Sequence, residues 1–359
     1  MEVPSPNWKV QDLLYGKHDK WTRITLACEG KCFQIEISPE NFVQSPSSFQ
    51  RYSRYIDLMY DDENAAEAAG DDLYDWVLAP FLPIFDQVEP SLTTGKTATL
   101  RDYLSPETYY FQLYFVDERM EPRYDYEVRR TLRELGVDIG DFALHPNWGK
   151  FTPEMVEQCL SDGEYGYSKH PRKVCVDGKL CFLKESHTKR GLLRELDIYR
   201  RMENQGLRDD PQVHIPRLVG VVYGSHDSCC IIGILLSLVD CEDLTLSCAL
   251  HDEVTFAQQK KWEEQITTTV DLLHRADIIW GDVKMDNVLV DRNDDAWVID
   301  FGGGYTEGWV AKEHMETMKG DEEGLSRMIE RIYSNAGSED GGDGGDGGHE
   351  EEVANVRKG

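Results

Sequence analysis

LLHRADIIWGDVKMDNVLVDRNDDAWVIDFGGG, residues 272–304, is the stretch on which the reading of this chain depends. Asp282, Lys284 and Asn287 stand in it as D-x-K-x-x-N. Two short apolar runs follow, 288–290 and 296–299, joined by Asp291-Arg292-Asn293-Asp294-Asp295, a string of turn formers. The second run delivers Asp300-Phe301-Gly302. A strand hairpin of this length returns Asp300 to the side of Asn287, thirteen positions earlier. Either motif alone is a weak signal; the two at this spacing are a strong one.

These residue types suit one chemistry. Phosphoryl transfer asks little covalent work of a protein; it needs phosphate charge neutralised and a carboxylate near the attacking hydroxyl. Magnesium is a hard cation that takes oxygen ligands and keeps several waters. The Asp300 carboxylate and the Asn287 amide oxygen suit it. Asp282 is suited to orient or deprotonate an acceptor, and Lys284 to stabilise charge on the group in transit.

Upstream, Thr255 and Gln258 have the pattern of a capping box. Trp262, Ile266, Val270 and Leu273 then recur at helical spacing, so a core helix leads into the motif. CCIIGILLSLVD, residues 229–240, is an apolar run of strand length. Asp177-Gly178 is a hairpin-turn dipeptide between two short strands, the second ending at Lys184. In the helical pattern GLLRELDIYRRM, residues 191–202, Leu192, Leu196 and Tyr199 share a face with Glu195. A carboxylate facing inward is costly without a cation. Lys184, at the end of the adjoining strand, is one available cation; taken by themselves the two read better as ordinary surface charges, and only the motif further on reverses that preference.

The order of strand lysine, helix glutamate, apolar strand, long helix, D-x-K-x-x-N, hairpin and D-F-G resembles the eukaryotic protein kinase superfamily. The loops of that superfamily read H-R-D-L-x-x-x-N and D-F-G. Leu273-His274 and Asp277-Ile278-Ile279 resemble its approach to the first loop. The resemblance covers about residues 165–310, and the chain as a whole resembles kinase-like proteins of filamentous fungi. It implies an α+β, two-lobed kinase-like fold and an ATP- and Mg²⁺-dependent phosphotransferase, with Ser/Thr protein kinase activity first. Under it Lys184 grips the α/β-phosphates, Glu195 holds Lys184, and Leu236, Leu238 and Val239 belong to the adenine-facing hinge. Asp282 and Lys284 serve catalysis; Asn287 and Asp300 bind the metal. The acceptor is then a hydroxyl of a protein or of a small molecule.

Several positions depart from the pattern. Trp280 and Gly281 replace the His and Arg of the loop, so a phosphorylated activation loop loses its usual anchor. The Gly-Asp pair is similar to small-molecule kinases of the aminoglycoside phosphotransferase type, whereas Lys284 points to Ser/Thr protein kinases. Met285 stands where proline is usual. No complete G-x-G-x-x-G precedes Lys184; Gly163 and Gly166 keep only the spacing of its last two glycines. No A-P-E follows. DEEGLSRMIERIY, residues 321–333, gives one helix with Leu325, Met328, Ile329 and Ile332 on one face, so the C-lobe is expected to be short. A kinase fold that holds nucleotide or a partner without turnover is therefore the alternative, beside the small-molecule kinase.

The remainder is less specific. Residues 1–145 are expected to form an α+β region of unknown function. WTRITLACEGKCFQIEI, residues 21–37, reads as two strands around a glycine turn, 64–79 as a helix, and TYYFQLYFV, 108–116, as a buried strand. The kinase-like domain is expected over 150–334. Residues 335–359 hold seven acids and two bases, a charge of -5, in a glycine-rich context expected to be disordered. The net charge of -29 over 359 residues argues against nucleic-acid binding. No run of about 18 apolar residues predicts a membrane span, and the N-terminus lacks an apolar signal core. The expected protein is soluble and intracellular, with its nine cysteines reduced.

Overall fold

The computed structural model describes residues 8–61, 63–90, 97–126, 136–161, 166–167, 170–186, 188–224, 230–251, 254–304 and 306–334. The expected disordered tail, 335–359, and Gly163 lie outside the described residues. Two compact units divide the chain: Met1–Arg200 with Pro216–Val239, and Arg201–Ile215 with Asp240–Gly359.

The first unit contains two sheets. Strands β1 (Trp8–Tyr15), β2 (Thr22–Cys28) and β3 (Lys31–Ile37) form an antiparallel meander. Then come β4 (Phe42–Val43), α1 (Pro46–Asp61), α2 (Glu63–Leu78), α3 (Leu82–Phe85), α4 (Leu100–Leu104), β5 (Thr108–Val116) and β6 (Arg119–Tyr124). The sheet order is β1-β2-β3-β5-β4, with β6 on β5. Alternate residues of its strands, Ile24, Leu26, Phe33, Ile35, Phe111, Leu113 and Phe115 among them, join Tyr52 and Ile56 of α1 and Leu73 and Val77 of α2 in one core. The strand expected to be buried over 108–116 has the predicted bounds, but only Phe111, Leu113 and Phe115 are buried, so it is half-buried with one polar face.

The second sheet comprises β7 (Val137–Asp138), β8 (Gly149–Phe151), β9 (Glu157–Gln158), β10 (Lys173–Val176), β11 (Lys179–Glu185), β12 (Leu218–Tyr223) and β13 (Cys230–Ser237), with α5 (Lys189–Asn204) between β11 and β12. Its order is β8-β12-β13-β11-β10-β9, with β7 on β13. Asp177 and Gly178 turn β10 into β11 with φ of 50° and 73°, the backbone of a two-residue type I′ hairpin. Leu100 of α4 is fully buried among Val156, Val174, Leu183 and Leu235, so α4 belongs to this sheet's core.

The second unit is built on α6 (Leu246–Ala249), α7 (Phe256–Arg275), the hairpin of β14 (Val288–Val290) and β15 (Ala296–Val298), and α8 (Met318–Ser334). The capping box of Thr255 and Gln258 starts α7. Its stripe, Trp262, Ile266, Val270 and Leu273, is buried. Gln265 fastens the hairpin to α7, donating from Nε2 to Asp295 Oδ1 at 2.6 Å and accepting from the Ala296 amide at 2.8 Å. Among the described residues no helix is long and apolar enough to cross a membrane.

Candidate functional site

In the second unit Asp282, Lys284, Asn287 and Thr306 form one hydrogen-bonded cluster. Asn287 is buried, and its Nδ2 donates to the Asp282 carbonyl at 2.8 Å and to Asp282 Oδ2 at 2.9 Å. Both amide hydrogens are thereby used, and the amide oxygen is left as the acceptor end. Lys284 Nζ lies 3.3 Å from Asp282 Oδ2 and donates to the Thr306 hydroxyl at 3.3 Å. That hydroxyl donates to Asp282 Oδ1, again at 3.3 Å. Asp282 is thus oriented on both carboxylate oxygens.

The hairpin carries Asp300 back to this cluster. Val288 pairs with Val298, and the Ile299 amide donates to the Asn287 carbonyl at 3.0 Å. Asp300 follows with φ of 62°, a left-handed conformation that aspartate tolerates better than most residues. Its Oδ1 accepts from the Gly302 amide at 3.2 Å. The backbone then passes close to the loop: a Cβ on Gly304 would lie 3.1 Å from the Asp282 carboxylate carbon. An aspartate carboxylate and an asparagine oxygen from the two ends of one hairpin are hard oxygen donors, which fits magnesium with water completing the shell.

Beneath this cluster lies an acid that the sequence did not mark. Asp321, in the first turn of α8, is only 1% exposed. Its Oδ2 accepts from the Trp280 amide at 2.8 Å, its Oδ1 from the Gly281 amide at 2.8 Å, and the His274 Nε2 lies 2.9 Å from Oδ2. The bond to Asp321 raises the His274 imidazole above its ordinary pKa, against a smaller lowering by burial. Gly281 has φ of 86°, where a side chain is strained. Trp280 is fully buried, and its indole N–H donates to the Ile299 carbonyl at 2.9 Å, which ties the residue before Gly281 to the one before Asp300. The tryptophan in the histidine position is therefore a packing residue with one specific bond.

In the first unit Lys184, near the end of β11, donates from Nζ to both oxygens of Glu195 on α5, each at 2.9 Å. Glu195 is buried, so its charge needs this cation. A Cβ on Gly233 of β13 would lie 2.5 Å from the Lys184 carbonyl, so glycine is what lets the two strands meet there. Of the residues expected at the hinge, Leu236 is buried within β13, while Leu238 and Val239 follow the strand and are half-buried.

Thr306, Gly304, Asp321 and the full part played by His274 escaped sequence reasoning. Thr306 and Gly304 follow D-F-G at positions no motif fixes, and Asp321 looks like an ordinary first-turn acid.

A strand lysine paired with a helix glutamate in one unit, and an aspartate–asparagine loop running through a hairpin into D-F-G in the other, mark a protein-kinase-like domain of the α+β class. Comparison with known proteins agrees. Residues 176–323 match the family model of the protein kinase domain. A stretch of 45 residues is 42% identical to the probable serine/threonine-protein kinase KIN1 homolog of Enterocytozoon bieneusi (strain H348), and it spans 12% of this chain and 8% of that protein. The chain carries a domain of the protein-kinase-like superfamily. The match begins at Val176, the last residue of β10, so α4 and β7 to β9 lie upstream of it.

Proposed function

We propose that this chain is a soluble, intracellular ATP- and Mg²⁺-dependent phosphotransferase acting on a hydroxyl, with protein Ser/Thr as the first acceptor class. The observation that carries the proposal is the Asn287 amide. Its two donations to Asp282 hold the catalytic carboxylate and aim the amide oxygen away as a cation ligand in one stroke. Asn287 and Asp300 then hold magnesium, which when bound neutralises phosphate charge. Asp282 orients the acceptor hydroxyl and takes its proton, and Lys284 stabilises the transferring group. Lys184, kept extended by Glu195, takes the α/β-phosphates, and Leu236, Leu238 and Val239 face the adenine. Lys284 and the serine/threonine designation of the matched relative support a protein acceptor.

Thermal stability with and without Mg²⁺ and ATP tests the nucleotide site. A ligand held only by the folded state at 100 times its Kd stabilises by about 2.7 kcal/mol. Asp300→Ala should remove the metal-dependent part of the shift. Labelled γ-phosphate transfer tests turnover, with Asp282→Ala as control; transfer that survives this substitution removes the role given to Asp282. A second reading, a module that holds nucleotide without turnover, draws on the incomplete glycine loop and would be recognised by a full ATP shift with no transfer to any acceptor. A small-molecule acceptor, suggested by the Gly281-Asp282 pair, would show as transfer to amino-alcohols in place of peptides.

A further inference from the structure

The segment between β7 and β8, upstream of the matched kinase domain, is fastened to the second sheet at both ends. β7 pairs with β13 through Val137 opposite Ile231 and Asp138 opposite Cys230. Gly136 precedes it with φ of 115°, and a Cβ there would lie 2.9 Å from the Ile231 carbonyl, so this approach admits only glycine. At the other end β8 runs parallel to β12, and a Cβ on Gly220 would lie 2.3 Å from the Gly149 carbonyl oxygen. Trp148, 3% exposed, buries the chain just before β8.

Between these anchors the chain meets α5. The Gly140 amide donates to Asp138 Oδ1 at 2.7 Å and the Phe142 amide to the Ile139 carbonyl at 3.3 Å, which turns the chain directly after β7. Ile139 is buried in that turn. A Cβ on Gly140 would touch Lys189 Nζ, from the first residue of α5, at 3.9 Å. Farther along, the Arg200 guanidinium lies 4.7 Å from the centre of the Phe142 ring, and its Nη1 donates to the Ala143 carbonyl at 3.4 Å. Asp197, three residues earlier on α5, pairs with the same guanidinium and steadies it. Residues 139–148 are thus a strap whose ends belong to the sheet and whose middle touches α5 at its start and again at Arg200.

Glu195 lies on α5 between these two points of contact, buried and bonded to Lys184. We infer that the strap holds α5 in place, with Phe142 and Arg200 as positioning residues, so that Glu195 stays on Lys184 without an activating phosphate. This rests on the ATP-dependent reading above, in which Lys184 takes the phosphates. In protein kinases the lysine–glutamate pair must be in place for transfer, and phosphorylation of the segment after D-F-G commonly controls it. Here Gly281 stands where the phosphate-binding arginine is usual, and the strap is built from residues that precede the matched domain. Only the fraction of molecules with the pair assembled binds at full strength, so a helix held in one position lowers the apparent Kd without adding a ligand contact.

The test uses the full chain, a fluorescent ATP analogue and Mg²⁺, with hydrogen exchange over residues 189–204 as a second readout. Phe142→Ala and Arg200→Gln should each weaken nucleotide binding about fivefold and raise KM for ATP, while kcat stays within about twofold. Exchange in α5 should rise in both. Arg200→Gln alters a half-exposed side chain and decides the matter if Phe142→Ala fails to fold. Phe142→Tyr keeps the ring and should match the parent. Placed on Glu195→Gln, the same two substitutions should weaken binding no further, because the strap acts through that carboxylate; a merely structural contribution would add. Arg123→Ala, which removes a contact of the same kind with the Tyr114 ring in the first sheet, is the control and should change neither readout. Phosphatase-treated protein should bind as tightly as untreated protein. Unchanged binding in the folded variants, an equal loss on Glu195→Gln, or binding that falls on phosphatase treatment overturns the inference. If the unaltered protein binds no nucleotide, the proposed function fails and this inference with it; if it binds and the variants match it, the inference alone fails.

Discussion

Asp321 sits one turn into a helix, where an acid is ordinarily a surface charge that complements the helix dipole. Here it accepts two backbone amides and an imidazole from residues at least 40 positions earlier. Asp282, Asn287 and Asp300 were legible because their spacing along the chain is itself the signal. Asp321 was not, because its role exists only after α8 and the loop have met. Removing it leaves the Trp280 and Gly281 amides buried without an acceptor, so Asp321→Ala should cost about 3 kcal/mol in urea unfolding and abolish any transfer. His274 adds a pH dependence. Its folded pKa is raised above the unfolded value by Asp321. The charged imidazole therefore stabilises the fold fully below about pH 6.5, and this contribution is lost as pH rises through the folded-state value. Unfolding of His274→Gln and the parent should accordingly differ most near pH 5.5 and least near pH 9. A difference that grows with pH would refute the assignment.

Among elements, α8 shows why helical periodicity found the helix but only part of its buried face. The expected stripe was Leu325, Met328, Ile329 and Ile332, whereas the buried residues are Gly320, Asp321, Gly324, Met328 and Ile332. A pattern that counts apolar side chains passes over glycines, yet here they set the approach. A Cβ on Gly324 would lie 2.7 Å from the Val283 Cβ, beside Asp282, and one on Gly320 would lie 2.1 Å from the His314 carbonyl. Gly324→Ala should gain about 1 kcal/mol of helix propensity and lose about 1–3 kcal/mol to overpacking. A displaced loop should also lower any transfer by more than the change in melting predicts, which paired melting and rate measurements would reveal. The Asp177-Gly178 hairpin and the α7 capping box were readable because their causes are local. Helix α1 was not read; only Tyr52 and Ile56 of its sixteen residues are buried, too sparse a stripe to stand out in the sequence.

At the scale of the whole molecule, the division expected at residue 145 concerns which part folds by itself. Leu100, in the core of the second sheet, and β7, paired with β13, both lie before that point. A fragment of residues 150–334 lacks them and should melt without cooperativity or aggregate, whereas a fragment of 97–334 retains both. A sharp unfolding transition from the shorter fragment would show that these upstream pieces are dispensable. Sequence reading placed β10, β11 and β13 of the second sheet through their turn and apolar signals, and passed over β12. It missed β7 to β9 because runs of two or three residues carry no periodicity, and their pairing becomes visible only across the assembled sheet.

Gly281 leaves little freedom for descent. Its backbone is left-handed and its N–H is bonded to a buried carboxylate, so any residue with a Cβ would be strained at the site where related kinases carry the arginine that answers to an activating phosphate. An arginine at this position would have to adopt the same left-handed backbone. A designer who wished to install such a switch would first have to rebuild the support that Asp321 gives the loop, so the local backbone, not the side chain alone, would have to be redrawn.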